Sequence, residues 1–223
     1  MPFKEKSADL VEVQPVSTRL VSVRIKGLTP LICHQWSEKA KREILDKQQK
    51  KAKTAKRARV PVEDFIDSLY WISGKPSECT EEAFEQAVEN GARFGFPLLS
   101  IKAAAISGVY RSGMVKNKTS VQGAFFIRPD AIVDGMQLVE VKGSIPSIRE
   151  DMVRVGMGTA DLRYRGEFAE WYVDLKIEHN ETSAFSLEQI VNMLNVGGYT
   201  VGIGEWRVEK GGQSGMFTVA QAN

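Results

Sequence analysis

SLEQIVNMLNVGGYTVGIGEWRVEKGGQSGMFTV, Ser186 to Val219, decides the architecture of this chain. Ser186 with Gln189 three residues later is a capping-box start, and Leu187, Ile190, Val191 and Leu194 follow at helical spacing. Gly197 and Gly198 read as the stop, and Met216 to Val219 as a closing strand. Between helix and strand stand Gly202, Gly204, Gly211, Gly212 and Gly215, around Trp206, Arg207 and Lys210. Glycine is kept where φ is positive or where another backbone comes close. The loop therefore either cradles a phosphate-bearing ligand with its N–H groups or turns a tight hairpin. It is not a dinucleotide fingerprint, because it follows a helix and precedes a strand, the reverse of that motif.

Upstream, EWYVDLKIEHN (170–180) alternates, with Trp171, Val173, Leu175 and Ile177 on one face and Tyr172, Asp174, Lys176 and Glu178 on the other. GAFFIRPDAIVDGMQLVEVKGSI (123–145) reads as short strands joined by Asp-Gly and Lys-Gly turns. FPLLSIKAAAISGVYRSG (96–113) is an Ala-rich helix ending at Gly113, with small residues suited to close packing on a sheet. Thr80 caps a helix that stops at Gly91, and Pro61 opens another carrying Val62, Phe65, Ile66 and Leu69. RLVSVRIKGLTPLIC (19–33) is the first strand, broken at Gly27 and Pro30. This order predicts an α+β fold, a βαββαβ core with an antiparallel sheet, helices on one face and helical insertions. Residues 1–223 read as one domain, with a basic helical or flexible insertion at about 37–59.

That insertion dominates the charge map. Ser37 to Arg59 holds ten Lys or Arg against three acids, about +7, so the other 200 residues carry about −5 beneath a net +2. Such an arm meets polyanions. Its second half has only Ala52, Ala55 and Ala58 as hydrophobes, which leaves it to order on a partner. No apolar run reaches a membrane span and the first residues lack a signal-peptide core. Cys33 and Cys79 make neither a disulfide framework nor a zinc site. A reduced, cytoplasmic protein without cofactor or metal is the expectation.

Phosphate-loop, nucleophile-elbow, HExxH and CxxC motifs are absent from the sequence. No catalytic residue is assigned beyond one candidate, His34, placed after the first strand and able to act as a general base near neutral pH. His179, at a strand end, reads as structural. The persuasive residues are cations. Lys50, Lys51, Lys53, Lys56, Arg57 and Arg59 lie in the arm, and Arg111, Lys116 and Lys118 follow the Ala-rich helix. Arg149, Arg154, Arg163 and Arg165 accompany Tyr164 in residues 147–168, and Arg207 and Lys210 sit in the glycine loop. Arg favours planar phosphate contacts and stacks on bases. Tyr164, Trp206 and Trp36 are candidate stacking platforms, whereas Trp71 and Trp171 belong to the core.

Pro97, Ser100 and Lys102 form P-x-x-S-φ-K before small residues. This resembles the helix-opening motif of the RAMP superfamily, the backbone and processing subunits of CRISPR effector complexes. The glycine loop is similar to that superfamily's C-terminal G-φ-G…G-x-G-φ loop, and the first strand with GLTPLI to its opening strand. Ile106 stands where that pattern has Arg, and Arg111 comes a turn later. The GIGEWR ending (202–207) also resembles stand-alone phage and prophage proteins. The resemblance implies a ferredoxin-like (RRM-like) fold that binds single-stranded RNA or DNA, with copies aligned along the strand as a homo-oligomer. Lys102, Gly202, Gly204 and Arg207 would lie against the nucleic-acid backbone, in a host cytoplasm if the protein is phage-encoded. Two other functions fit the same residues. One is an accessory, structural or decoy module that docks on a host or phage protein complex. The other is a metal-free endoribonuclease using His34.

Overall fold

The two alternating segments find each other. In a computed structural model, which describes residues 13, 15–36, 42, 44–46, 48–50, 59–155 and 159–220, the chain begins β1 (Thr18–Gly27), β2 (Leu31–Ile32), α1 (Pro61–Ser68), β3 (Tyr70–Trp71), α2 (Glu81–Glu89), β4 (Phe94–Pro97) and α3 (Leu98–Arg111). It continues α4 (Thr119–Gln122), β5 (Phe125–Arg128), β6 (Ala131–Val133), β7 (Met136–Gly143), β8 (Ser147–Val155), β9 (Thr159–Phe168), β10 (Trp171–Asn180), α5 (Leu187–Thr200) and β11 (Phe217–Val219). β1 and β10 pair antiparallel with Val23 opposite Leu175 and Ile25 opposite Val173. Because side chains alternate across a strand, those residues point into one core and Arg24 and Asp174 meet on the other face.

The larger sheet runs β11-β1-β10-β7-β4-β3, with β5 on β10 and β6 on β7. Within it the order β11-β1-β10-β5 is antiparallel throughout. α3 lies between β1 and β5 in the chain, and α5 between β10 and β11. The mixed α+β expectation and its antiparallel sheet are met. The Asp134-Gly135 turn joins β6 and β7 with both residues at positive φ.

Two sequence expectations need correction. Gly197 and Gly198 do not stop α5, which runs on to Thr200. A Cβ on Gly197 would stand 2.5 Å from Ala105 Cα, and one on Gly198 2.1 Å from Phe217 O. Their absent side chains let α3 and β11 reach the α5 backbone. The small residues of α3 accordingly serve a helix–helix contact as much as a helix–sheet one: Gly108 meets Gly197. The capping box at Ser186 is present, with the Ser186 N–H donating to Gln189 Oε1 at 2.8 Å and the Gln189 N–H to Ser186 Oγ at 3.3 Å.

The other correction concerns residues 147–168, expected only as a cation-rich segment. They form a long hairpin, β8–β9, completed into a second antiparallel sheet by β2. α1 packs on β9, where the Gly166 N–H donates to Ser68 Oγ at 2.7 Å and Leu69 covers Gly166. Trp71 and Trp171 are buried in the core as expected. Among the described residues no helix is long and apolar enough to cross a membrane.

Candidate nucleic-acid interface

β2 holds the glycine loop against the hairpin sheet. Leu31, Ile32 and Cys33 are fully buried, and burial pushes the Cys33 thiol well up from its ordinary value. The loop hangs on this strand through its backbone: the Glu205 N–H donates to Ile32 O at 3.0 Å and the Gly215 N–H to Pro30 O at 2.8 Å. It also closes on itself, Ile203 N–H to Gly215 O at 2.9 Å and Ser214 N–H to Trp206 O at 3.0 Å. The glycines follow from that crowding. Gly204, at φ +78°, would place a Cβ 2.5 Å from Ile32 O, and Gly215, at φ +65°, one 1.7 Å from Ile203 O. At these positions glycine serves the loop's own folding, and the N–H groups of Ile203, Glu205, Gly212, Ser214 and Gly215 are spent on backbone carbonyls.

The loop's arginine is committed as well. Arg207 donates from Nε and Nη2 to Glu209 Oε2 at 3.1 and 2.9 Å and from Nη1 to Gly204 O at 3.1 Å. Arg111 reaches the same carboxylate at 2.6 Å. Burial pulls the Glu209 carboxyl upward, but the bond from Arg207 and the charges of Arg207 and Arg111 outweigh it and hold it below its ordinary value. Lys210 stays exposed at the loop's outer end.

His34 is half-buried with Nδ1 2.8 Å from Glu205 Oε1, and its carbonyl accepts from the Tyr70 hydroxyl at 3.3 Å. The hydrogen bond with His34 lowers the Glu205 carboxyl pKa despite partial burial. This contact joins two segments that each end in an exposed indole. Trp36 is 56 % exposed and Trp206 41 %. Trp206 sits at φ +51° with its Nε1 donating to Asp151 Oδ2 at 3.1 Å, which anchors the ring's edge and leaves a face to solvent. Asp151 in turn holds Arg165 at 3.0 Å and Arg149 at 2.9 Å, and Arg149 also pairs with Glu167. Arg165 is 3 % exposed and its Nε has no hydrogen-bond partner among the described residues.

The predicted residues thus divide. Gly202, Gly204, Trp206, Arg207 and Lys210 are gathered in the loop, Arg111 touches it, and Arg165 reaches it through Asp151 and Trp206. Arg165 is a structural cation rather than a surface one. Arg154 is exposed on β8, and Arg163 stands 3.6 Å from Asp161. Arg59 is tied to Asp161 and to Leu162 O on β9. Lys102 bonds to Gln122 O at 2.8 Å and sits over the Phe126 ring, its contacts lying on α4 and β5 rather than on the loop. Burial lowers its pKa. Lys50 is exposed, while Lys51, Lys53, Lys56 and Arg57 lie outside the described residues. Tyr164 stands opposite Glu150 across the two strands, and that carboxylate raises the pKa of its hydroxyl. His179 is buried and bonded to Phe185 O at 2.8 Å.

Sequence reasoning missed Glu205 and Asp151, the two acids that orient His34, Trp206 and Arg165. Single carboxylates carry no pattern, and these act across separations in sequence of 171 and 55 residues. Among the described residues no group of three His, Cys, Asp or Glu side chains is placed to hold a metal ion. Compared with known proteins, the chain matches no family model and no curated sequence.

Proposed function

We propose that this chain is a non-catalytic binder of single-stranded nucleic acid, built on a ferredoxin-like (RRM-like) core and working as an oligomer along the strand. The observation that carries the reading is the pair of exposed indoles, Trp36 and Trp206, tied together through His34 and Glu205 at the root of the cationic arm. Base–aromatic stacking is sequence-tolerant and is worth about 1–3 kcal/mol per base. The arm, whose first residue follows Trp36, supplies phosphate neutralisation. The strand order β11-β1-β10-β5 with α3 and α5 as connections supports the βαββαβ part of the reading. In this account the glycine loop presents Trp206 and Lys210 to the strand; it does not wrap a phosphate in its own N–H groups.

The His34–Glu205 bond favours one second reading. A carboxylate that holds Nδ1 leaves Nε2 as the proton-accepting edge, the arrangement a metal-free endoribonuclease needs to deprotonate a ribose 2′-hydroxyl. One experiment separates the two. Fluorescence anisotropy of labelled single-stranded RNA, single-stranded DNA and duplex is measured across a salt series, with gel analysis of the same RNA. Trp36→Ala and Trp206→Ala should each weaken single-strand binding about tenfold or more, and neutralising Lys50, Lys51, Lys53, Lys56 and Arg57 should flatten the salt slope. Intact RNA throughout supports the binder. RNA cut by the wild type and spared by His34→Ala, with binding retained, would establish the enzyme.

A further inference from the structure

α2 is a helix with an uncovered side. None of its residues is fully buried, although Phe84 makes edge contacts with Phe65 and Trp71 at 5.0 and 6.1 Å. Between α1, α2, the β7–β8 link and the start of β8 lies a groove of about 460 Å³ whose lining includes Phe65, Phe84 and Val88. Ile145 and Ile148 on its far wall are 61 % and 47 % exposed. Along its near rim run Glu81, Glu85 and Glu89, one per helical turn. With Glu82, α2 carries four acids and no base, and among the described residues none of these carboxylates has an ion-pair partner. An apolar trough edged by an unbroken acidic row is the shape that receives an amphipathic, basic helix.

The same chain carries a basic segment with an apolar pair. Residues 42, 44–46 and 48 of the arm are helical. Ile44 and Leu45 stand side by side there, 38 % and 50 % exposed. Lys47, Lys50 and Lys51 follow within six residues in the sequence, in a stretch of about +7. In its own chain this segment contributes nothing to the described lining of the groove, which comes from α1, α2, the β7–β8 link and the start of β8. The geometry points to the arm of a second copy: we propose that Ile44 and Leu45 of one molecule seat in the α1–α2 groove of the next, with the arm's lysines on Glu81, Glu85 and Glu89. Arm and groove are different patches, so the contact is head-to-tail and propagates as an open chain or closes as a ring. The charges set orientation and salt sensitivity, and the apolar pair supplies contact area. The inference gives the oligomer of the proposed function its surface, but it requires no nucleic acid.

Two variants of the full chain test it, both purified free of nucleic acid at high salt. One is reversed in the groove, Glu81→Gln/Glu85→Lys/Glu89→Lys, which avoids a cation at the α2 N-terminus. The other is reversed in the arm, Lys47→Glu/Lys50→Glu/Lys51→Glu, outside the core. Sedimentation velocity at low salt should show the wild type growing with concentration and each variant weakened about tenfold or more. An equimolar mixture of the two variants should assemble again, because the native arm meets the native groove and the two reversed patches are once more opposite in charge. A wild type that stays monomeric, assembly that survives both reversals, or a mixture that stays monomeric would each overturn the proposal. Strand binding by the groove variant, read by anisotropy, is expected to persist, so failure of the assembly and failure of the nucleic-acid reading give different patterns.

Discussion

The glycine loop and the basic arm use the same vocabulary of Lys, Arg and small residues, and they solve opposite problems. In and around the loop each named arginine faces a carboxylate a few ångströms away: Arg207 and Arg111 share Glu209, and Arg165 faces Asp151. Most of its backbone donors are spent on nearby carbonyls. The arm holds ten cations against three acids over 23 residues and cannot neutralise itself. Positive charge inside the folded body is thus mostly architectural, and positive charge available to a partner is concentrated in one segment. A glycine-rich, cation-bearing sequence does not by itself distinguish the two cases. What distinguishes them is whether acids lie within reach after folding.

The comparison breaks first at Asp151. Removing one member of a buried pair leaves an uncompensated charge, and Arg165 is almost fully buried with one nitrogen already unpartnered. Asp151→Ala should cost about 3–5 kcal/mol in denaturant unfolding. Asp151→Leu combined with Arg165→Met should recover most of it, because two apolar groups leave no charge behind. Gly215→Ala comes next. Its Cβ would collide with Ile203 O in a backbone region that L-residues avoid, and about 2–4 kcal/mol is expected by the same measurement. Charge reversal in the arm should move unfolding by no more than about 0.5 kcal/mol, as for surface sites without special contacts. Equal losses at Gly215 and in the arm would erase the distinction between architectural and available charge.

Much of this fold was legible. The β1 and β10 alternation, the capping box, the Asp-Gly turn and the placement of Trp71 and Trp171 followed from local periodicity and turn chemistry, which do not depend on distant partners. The β8–β9 hairpin was not, because charged residues occupy both of its faces. Arg149, Asp151 and Arg165 point inward, and Glu150 and Arg154 point outward, so no polar-to-apolar alternation survives to be read. The helix stop at Gly197 was misread for a related reason. A glycine that admits a neighbouring backbone and a glycine that ends a helix are the same letter, and only the arrival of α3 decides which it is. The site was half legible: His34, Trp36 and Trp206 were visible as residue types, but the Glu205 and Asp151 contacts that fix His34 and Trp206 are tertiary.

The smallest effect is the most specific one. The Glu205 carboxyl lies below its ordinary value of 4.5 in the folded chain, chiefly through the hydrogen bond with His34. Folding therefore favours the ionised form. That contribution is complete above about pH 4.5 and is lost as pH falls from there through the lowered folded value. Glu205→Gln keeps the shape and removes the charge. The wild type should be more stable than this variant at pH 7, and the gap should close as the pH drops below 4.5, because the protonated carboxyl and the amide then differ little. Glu205 is 40 % exposed, so solvent screening keeps the gap small, and paired denaturant titrations of the two proteins at each pH are needed to read it. A gap that persists unchanged at low pH would mean that the loss in Glu205→Gln does not come from the carboxylate charge, and the charge-based link between the two tryptophan-bearing segments would fall with it.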